Sequence, residues 1–338
     1  MRKKTIKDVA KEANVSIATV SRILNQTSKG YSEKTKKHVL ETMERMGYSP
    51  NAVARSLISR QTGTIGVLFP EISGMVSSEM LHGIEAVANT FGHSVIVCNT
   101  NSDQAKTLKY LRLLEEKQVE GVIFTSKILS ETYGKMVGQM NVPFVVLASE
   151  SEVEGVPHIK VDDELASYEA TKFLIEHGHK HIGMLSGNGD DPIAGKPRID
   201  GFKRALKEAK LLCRHTQVAQ NNGFYFENGH LAFSKLMASH PETTAVFASS
   251  DELAMSAISA ALEYGKRVPD DLSIIGYDNT KLAKMAVPKL TVVSQELESL
   301  GRKATEMLYR EIHTGEKSPS VTAQHNIVKR DSVKTLST

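Results

Sequence analysis

Apolar side chains recur at helical spacing in three short stretches of the first fifty residues. They are Ile6, Val9, Ala10 and Ala13 in the first stretch, Val20, Ile23 and Leu24 in the second, and Val39, Leu40, Met43 and Met46 in the third. Thr5, Ser16 and Ser32 precede the stretches as candidate N-caps, and Gly47 follows the last one as a candidate helix end. The pattern predicts three amphipathic helices that share one small core.

From residue 63 onward, short apolar runs alternate with amphipathic stretches. The predicted strands are residues 64–69, 94–98, 121–125, 144–148, 181–185, 244–248, 272–276 and 290–293, and the predicted helices include residues 78–91, 104–117, 164–177, 201–209, 228–239 and 252–264. This alternation is typical of parallel sheets covered by helices on both faces. It breaks near residues 157–163 and then resumes, so it predicts an α/β core of two similar doubly wound lobes.

Composition places the chain among globular proteins. Of its 338 residues, 40% are hydrophobic and 24% are charged, which disfavours disorder, collagen-like repeats and coiled coils. No apolar run is long enough for a membrane span or a signal core. The two cysteines, Cys98 and Cys213, form neither a disulfide framework nor a metal cluster, so a reducing cytoplasm is the expected location.

The charge is unevenly divided along the chain. Residues 1–62 hold 13 Lys and Arg against 5 Asp and Glu, a net charge of +8, whereas the remaining residues carry a net charge of −5. A small basic module on a mildly acidic body suggests that the module binds a polyanion, although a solvated basic tail would give the same charge. The helical pattern of the module argues against a tail.

Two helices joined by a tight turn, the second with a small polar outer face, have the form that enters a DNA major groove. The predicted base-reading residues are Ser16, Ile17, Ala18 and Arg22. The predicted phosphate contacts come from Thr5, Thr19, Ser21, Tyr31, Lys34, Lys36 and Lys37. Each of these lysines could equally be an ordinary solvated surface residue.

The runs TIKDVAKEANVSIATVSRILN and YSEKTKKHVLETMERMGYSPNAVARSL resemble the DNA-binding segment of the LacI/GalR family of bacterial repressors. The form SIATVSR is similar to that of the subgroup with catabolite control protein A and the ribose-type repressors. The resemblance implies a homodimer on a pseudo-palindromic DNA operator. Asn25 completes the predicted DNA-binding residues of this module.

A hinge helix is predicted at residues 49–61, where Pro50 occupies a favourable first position. So short a helix is marginal alone, and the resemblance implies that it folds when two copies pair on DNA. Its predicted DNA contacts are Asn51, Ala54 and Leu57. Leu57 matches the leucine that the family inserts between base steps in the minor groove, although it could instead dock on the core.

Ligands bind at the carboxyl ends of parallel strands, and two facing lobes form a cleft between those ends. The polar loops there suit a polyhydroxylated ligand, and the predicted effector-binding residues are Ser73, Ser149, Arg198, Phe224, Ser250 and Asp278. Phe224 could instead belong to the core, and Asp251 nearby could merely cap a helix.

The resemblance extends to about residue 330 and implies a sugar or sugar derivative as effector. Arg198 in RIDGF and Asp278 in GYD match effector-contacting positions of sugar-responsive members. The segment from Glu71 to Val76 departs from the D-I-S-N-P-F of many members, which argues against a standard hexose pose. Glu298, Ser299 and Glu306 replace the residues with which catabolite control protein A docks a phosphorylated carrier protein, so that co-repressor is not expected.

The predicted organisation is a helix-turn-helix domain at residues 1–48, a hinge at 49–61 and a core at 62–338. Lobe one is assigned about residues 62–161 and 291–321, and lobe two about residues 162–290 and 322–338. The expected function is a sugar-gated transcriptional repressor of carbohydrate-utilisation genes, with no cofactor or metal and no membrane partner. A soluble sugar-binding receptor and a sugar-modifying enzyme are the alternatives. The chain has no signal sequence and no catalytic motif, and His177, His179 and His181 are its one histidine cluster.

Overall fold

The computed structural model describes residues 4–24, 30–48, 62–125 and 128–336. The chain divides into two compact units, Met1–Thr62 and Gly63–Thr338. The predicted hinge at residues 49–61 lies outside the described residues. No described helix combines the length and the apolarity needed to cross a membrane.

The first unit contains three helices, α1 (Ile6–Glu12), α2 (Ile17–Leu24) and α3 (Glu33–Arg45). The predicted caps are formed. The N–H of Thr5 donates to Oδ2 of Asp8 at 2.8 Å, Oγ of Ser16 accepts the N–H of Thr19 at 3.0 Å, and Oγ of Ser32 accepts the N–H of Thr35 at 3.1 Å. The helices enclose one core, whose buried members are Val9, Ala10, Ala13, Val20, Ile23, Val39 and Met43.

Leu40 is the exception to the predicted core of this unit. Its side chain is 45% exposed, whereas Val39 and Met43 are buried. Val39 and Met43 are one helical turn apart and lie on the face of α3 that packs against α1 and α2. The prediction that Leu40 points inward is therefore wrong, because it lies beside this face rather than on it.

The second unit begins with a six-stranded parallel sheet. Its strands are β1 (Thr64–Phe69), β2 (Ser94–Asn99), β3 (Val122–Phe124), β4 (Phe144–Leu147), β5 (His158–Val161) and β11 (Val321–Ala323), in the spatial order β11-β5-β4-β3-β1-β2. The helices of this lobe are α4 (Met75–Thr90), α5 (Gln104–Glu116), α6 (Glu131–Met140) and α12 (Leu297–Thr314). Buried residues of β1, β3 and β4 form the core beneath α4 and α12.

The second lobe repeats this plan. Its strands are β6 (Ile182–Ser186), β7 (Val218–Gln220), β8 (Ala245–Ala248), β9 (Ser273–Asp278), β10 (Thr291–Ser294) and β12 (Asn326–Val328), in the order β12-β10-β9-β8-β6-β7. Its helices are α7 (Asp163–Glu176), α8 (Gly195–Glu208), α9 (Phe226–Ser239), α10 (Asp251–Glu263) and α11 (Lys281–Met285), with a 3₁₀ turn at His215–Gln217. All strand pairs are parallel except β10 with β12.

The chain passes between the two lobes three times. It enters lobe two after β5, returns to lobe one between β10 and α12, and crosses again between β11 and β12. Residues 291–294 therefore belong to lobe two, and their predicted assignment to lobe one is wrong. The reason is that β10 pairs with β9, from Thr291 beside Ile275 to Ser294 beside Asp278, so the chain leaves this sheet near residue 295. Residues 322 and 323, assigned to lobe two, pair with β5 in lobe one.

Glycines let pairs of helices cross closely in both lobes. A methyl group at Gly83 of α4 would overlap the carbonyl oxygen of Glu298 on α12, and one at Gly301 would overlap that of Met80. In lobe two, a methyl group at Gly201 of α8 would overlap the carbonyl oxygen of Glu164 on α7. These crossings fix α12 on lobe one, to which the chain has just returned, and α7 on lobe two, which the chain has just entered.

Candidate functional sites

The candidate DNA-binding surface is the amino-terminal half of α2. Val20 and Ile23 are buried against α1 and α3, which leaves Ser16, Ile17, Ala18 and Arg22 exposed. Ile17 is 45% exposed, which is unusual for an isoleucine and gives this face an apolar contact of the kind that meets a thymine methyl group. The predicted base-reading residues thus lie together on one surface.

Ser16 has a structural role beside its predicted DNA contact. Its Oγ accepts the N–H of Thr19 at 3.0 Å and lies 2.9 Å from Oγ1 of Thr19. Arg22 lies one turn beyond, and its guanidinium is so close to Gly30 that a Cβ there would be 2.7 Å from Nη1. Gly30 has φ of +101°, a conformation that favours glycine.

The residues predicted to contact phosphate differ in how exposed they are. Thr5 is exposed at the start of α1, Ser21 is half-buried, and Tyr31 packs against the helical core. Nζ of Lys36 lies 3.8 Å from a carboxylate oxygen of Glu33, an exposed pair that phosphate could replace. Asn25, Asn51, Ala54 and Leu57 lie outside the described residues.

The candidate ligand cleft is built around Arg198, which is 7% exposed at the start of α8. Its Nε and Nη2 lie 2.9 and 2.8 Å from Oδ1 of Asp163, and its Nη1 donates to the carbonyl oxygen of Ser249 at 2.6 Å. The guanidinium carbon lies 3.8 Å from the ring centre of Tyr277 and 5.3 Å from that of Phe224. The planar cation thus lies within cation–π distance of two aromatic rings.

Asp278 lies beside this cation at the end of β9. Its carboxylate accepts a hydrogen bond from Nε2 of Gln295 at 2.6 Å. Burial raises the pKa of Asp278 to about 7, although Arg198 and Gln295 act in the opposite direction. Its φ of +111° is rare for a residue with a side chain and is typical of functional sites.

Asp251 is a second buried carboxylate of this site. Its Oδ2 accepts the N–H of Thr280 at 2.7 Å and the hydroxyl of Thr280 at 2.9 Å. Burial, together with the charge of Asp278, raises the pKa of Asp251 well above its ordinary value. The helix cap of α10 is Ser250, whose Oγ accepts the N–H of Leu253, so the interpretation of Asp251 as a mere cap is wrong.

Buried polar atoms without a protein partner collect at the carboxyl ends of the strands. In the described part of the chain they include Oγ of Ser149 after β4, Oγ of Ser186 at the end of β6, and Oγ of Ser249 and Oδ1 of Asp251 after β8. Such atoms are rare in proteins, because each one forfeits the hydrogen bonds that water would provide. They mark a position where a polar ligand or ordered water supplies the missing partners.

The structure distributes the six predicted effector residues unevenly. Arg198, Phe224, Ser250 and Asp278 belong to lobe two, where Oγ of Ser250 also donates to the carbonyl oxygen of Phe224 at 2.7 Å. Ser149 belongs to lobe one and is buried. Ser73 is exposed after β1, and its N–H and hydroxyl both donate to Oε1 of Glu71 at 3.0 Å.

Lys160 joins the lobes behind this site. Its Nζ lies 3.1 Å from Oε1 of Glu150 in lobe one and 3.5 Å from Oδ2 of Asp163 in lobe two. A second contact crosses from α4 to α11, where the N–H of Lys281 donates to Oε1 of Glu79 at 2.8 Å. The carboxyl ends of the two sheets therefore face one another within this unit.

Sequence reasoning missed Asp163 and Gln295 as members of the site, and it placed Tyr277 at the cleft without giving it a role. Asp163 follows β5 directly, so recognition of that strand would have placed it at a carboxyl end. Of the histidine cluster, His179 is buried and both its ring nitrogens are engaged, by Oγ1 of Thr244 at 3.0 Å and by the carbonyl oxygen of Lys334 at 3.2 Å. The described residues hold no group of three side chains placed to bind a metal ion.

Comparison with known proteins identifies both parts of the chain. Residues 5–51 match the family described as bacterial regulatory proteins, lacI family, and residues 171–333 match the periplasmic binding protein-like domain. The chain is 38% identical to catabolite control protein A of Priestia megaterium, over 98% of this chain and 99% of that protein. It is 37% identical to the ribose operon repressor of Halalkalibacterium halodurans, over 96% of this chain and 94% of that protein.

A solved structure shows the same likeness. The crystal structure of the lac repressor dimer bound to operator and the anti-inducer ONPF matches this chain with a TM-score of 0.87 and 25% identity, over 98% of this chain and all of that one.

Proposed function

Since the chain belongs to the lacI family of bacterial regulatory proteins, we propose that it is a sequence-specific repressor of carbohydrate-utilisation genes. Its affinity for operator DNA changes when a sugar or sugar derivative binds between the two lobes of its core. The DNA-reading residues are Ser16, Ile17, Ala18 and Arg22, and the effector contacts centre on Arg198 and Asp278.

The observation that carries the DNA-binding part is the face of α2. Its inner residues are buried in the helical core, whereas the outer face leaves four side chains exposed: Ser16, Ile17, Ala18 and Arg22. The unit that presents this face has a net charge of +8, which favours attraction to phosphate. A sugar receptor that does not bind DNA would not require this basic helical unit.

The effector class follows from the chemistry of the cleft. Asp278 offers a carboxylate that accepts from hydroxyl groups, and Ser149 and Ser249 offer hydroxyls without protein partners. Phe224 offers an apolar ring face, which suits the C–H face of a sugar ring. The name of the ribose operon repressor, a relative over nearly the full length, points to the same class.

The assembly is proposed to be a homodimer on a pseudo-palindromic operator, because a two-fold protein reads two equivalent half-sites. The lac repressor structure that this chain resembles is a dimer bound to its operator. A phosphocarrier co-repressor is not part of the proposal. Glu298, at one of the positions that depart from the catabolite control pattern, is engaged by Arg302 of the same helix at 2.7 Å.

The decisive experiment recovers genomic DNA fragments bound by the purified protein and then tests a panel of pentoses, hexoses and disaccharides for their effect on that binding. We expect a pseudo-palindromic consensus near carbohydrate genes and a response to at least one sugar. Binding of all fragments alike would contradict the DNA assignment. A response to a compound that lacks hydroxyl groups, with none to any sugar, would contradict the effector class.

A further inference from the structure

A basic groove lies on the outer side of lobe two, away from the residues of the cleft. It is an open groove of about 710 Å³ at the carboxyl end of α8 and in the turn that follows. Its rim carries Lys203, Lys207, Lys210 and His215, all exposed, and its floor is formed by Leu211, Leu212 and Cys213.

The three lysines of the rim have no carboxylate within 4 Å in the part of the chain that the structure describes. Other basic residues of the same helix are paired. Lys196 forms an ion pair with Asp200, and Nη1 of Arg204 lies 2.5 Å from Oε1 of Glu164 on α7. Among the described residues, therefore, no ion pair within 4 Å neutralises the three lysines of the groove.

The floor adds an apolar element to this charge. Leu212 is 66% exposed at the centre of the groove, and Leu211 and Cys213 beside it are half-buried. A leucine exposed among lysines is poorly matched to water, whereas it suits an apolar side chain of a binding partner.

The spacing of the charges fits a polypeptide. Lys203 and Lys207 are one helical turn apart, about 6 Å along the axis. Alternate side chains of an extended segment are separated by about 6.8 Å, so two carboxylates at that spacing can each meet one lysine. A single phosphate would engage only one end of this row, and the groove is too open to enclose a small molecule.

We propose that this groove docks an acidic segment of a partner protein, in which carboxylates alternate with apolar residues. The carboxylates pair with Lys203, Lys207 and Lys210, and an apolar residue covers Leu212. The residues of this surface are distinct from those proposed to read DNA and from those of the effector cleft, so the surface would attach a second protein to the regulator through residues that neither of those sites uses.

Cys213 provides a reporter inside the groove. Its thiol is half-buried there, whereas Cys98 is buried in lobe one, so a neutral reagent such as iodoacetamide modifies Cys213 selectively. The experiment measures the modification rate of the full-length protein with and without a blocked seven-residue peptide of alternating glutamate and leucine. The Cys213→Ser variant shows how much of the measured modification occurs at Cys213. Because the rate is read at the groove, peptide bound to the basic first unit does not contribute.

We expect the peptide to slow the modification of Cys213 by about ten-fold at saturation, and less at high salt. Lys207→Glu combined with Lys210→Glu should abolish the protection. The control, Lys180→Glu with Lys235→Glu, changes the net charge equally at exposed positions of the same lobe and should retain it. The protection ratio is compared within each variant, because charge at the groove also acts on the thiol, whose pKa Lys203 lowers against the effect of burial.

Five outcomes would overturn the proposal. The first four are no protection by the peptide, equal loss of protection in both double variants, full protection by pyrophosphate alone, and full protection by a DNA duplex of unrelated sequence. The third result would indicate a small-anion site and the fourth a nucleic-acid contact. Protection that grows with protein concentration without peptide would instead indicate a second copy of this chain as the occupant, and would equally contradict the proposal.

Discussion

Arg198, which is proposed to contact the effector, also holds the fold together. Its guanidinium is fixed by Asp163 and by the carbonyl oxygen of Ser249 before any effector binds. Asp163 in turn accepts the hydroxyl of Tyr277 at 3.0 Å. Loss of Arg198 therefore has two effects, one on ligand contacts and one on a buried charge.

We expect Arg198→Met to lower the free energy of unfolding by about 3 kcal/mol, because Asp163 is left buried without its main partner. Adding Asp163→Asn to that variant should recover most of the loss, since the buried charge is then removed as well. Urea unfolding of the two variants measures this. An Arg198→Met variant as stable as the wild type would show that the ion pair of Arg198 with Asp163 does not stabilise the fold.

Asp278 gives the protein a pH dependence. Because its pKa of about 7 in the folded protein exceeds the ordinary 3.8, the folded state holds a proton that the unfolded state releases, and stability falls as pH rises from about 4 to 7. Asp278→Asn removes this loss. Above pH 7 the variant should be more stable than wild type by roughly 2–4 kcal/mol, and near pH 4 the two should converge. Thermal denaturation of both proteins across this pH range measures the difference. Parallel curves of stability against pH for wild type and variant would show that Asp278 does not titrate in this range.

Single-residue contacts were only partly predictable from the sequence. Arg198 and Asp278 stand in recognisable sequence contexts, but Asp163 is 35 residues from Arg198 along the chain. Their contact depends on the close crossing of α7 and α8 at Gly201. No local pattern reports such a pairing, because it arises from the packing of two helices.

At the scale of the element, α2 combines folding and recognition in eight residues. Arg22→Ala should weaken binding to the preferred operator by about 1–3 kcal/mol and relax base preference, because a bidentate guanine contact carries sequence information. Lys36→Ala should weaken all sequences alike and reduce the salt dependence by about one unit of slope. Titrations of operator and random DNA at several salt concentrations compare them. Equal losses on both DNAs for Arg22→Ala would exclude it from base reading.

Ser16 allows its cap and its DNA contact to be separated. Ser16→Ala should cost about 1 kcal/mol of stability in the first unit, because the N–H of Thr19 loses its side-chain acceptor and keeps only the carbonyl oxygen of Ser16. Ser16→Asp keeps an acceptor and should keep the stability, yet its charge should repel DNA and abolish operator binding. Thermal unfolding and operator titration are measured on both variants. An aspartate variant that binds the operator like wild type would remove Ser16 from the interface.

Helices and strands were predictable from the sequence where the pattern of apolar residues is regular. The capped helices of the first unit and the mostly apolar strands β1 and β4 stand out by spacing alone. β5 was taken for an interruption, because it has four residues, follows Pro157 and alternates half-buried His158 and Lys160 with buried Ile159 and Val161. β7, β11 and β12 have three residues each, too few for a period to be recognised.

At the scale of the whole molecule, both sheets depend on the last part of the chain. β11 completes the edge of the first sheet and β12 that of the second. Deletion of residues 318–338 should therefore destabilise both lobes together, since each loses an edge strand and its buried partners. Hydrogen exchange followed through both sheets tests this. Loss of protection confined to lobe two would show that β11 contributes little to lobe one.

The three passages between the lobes also govern how the protein is made. A ribosome delivers the chain from its amino end, and α12, which covers the first sheet, emerges only after all of β6 to β10. The apolar face of the first sheet that α12 covers therefore stays uncovered while β6 to β10 of lobe two are synthesised. Neither lobe can close before translation is almost finished, so both remain open to aggregation and to chaperones until the final strands appear.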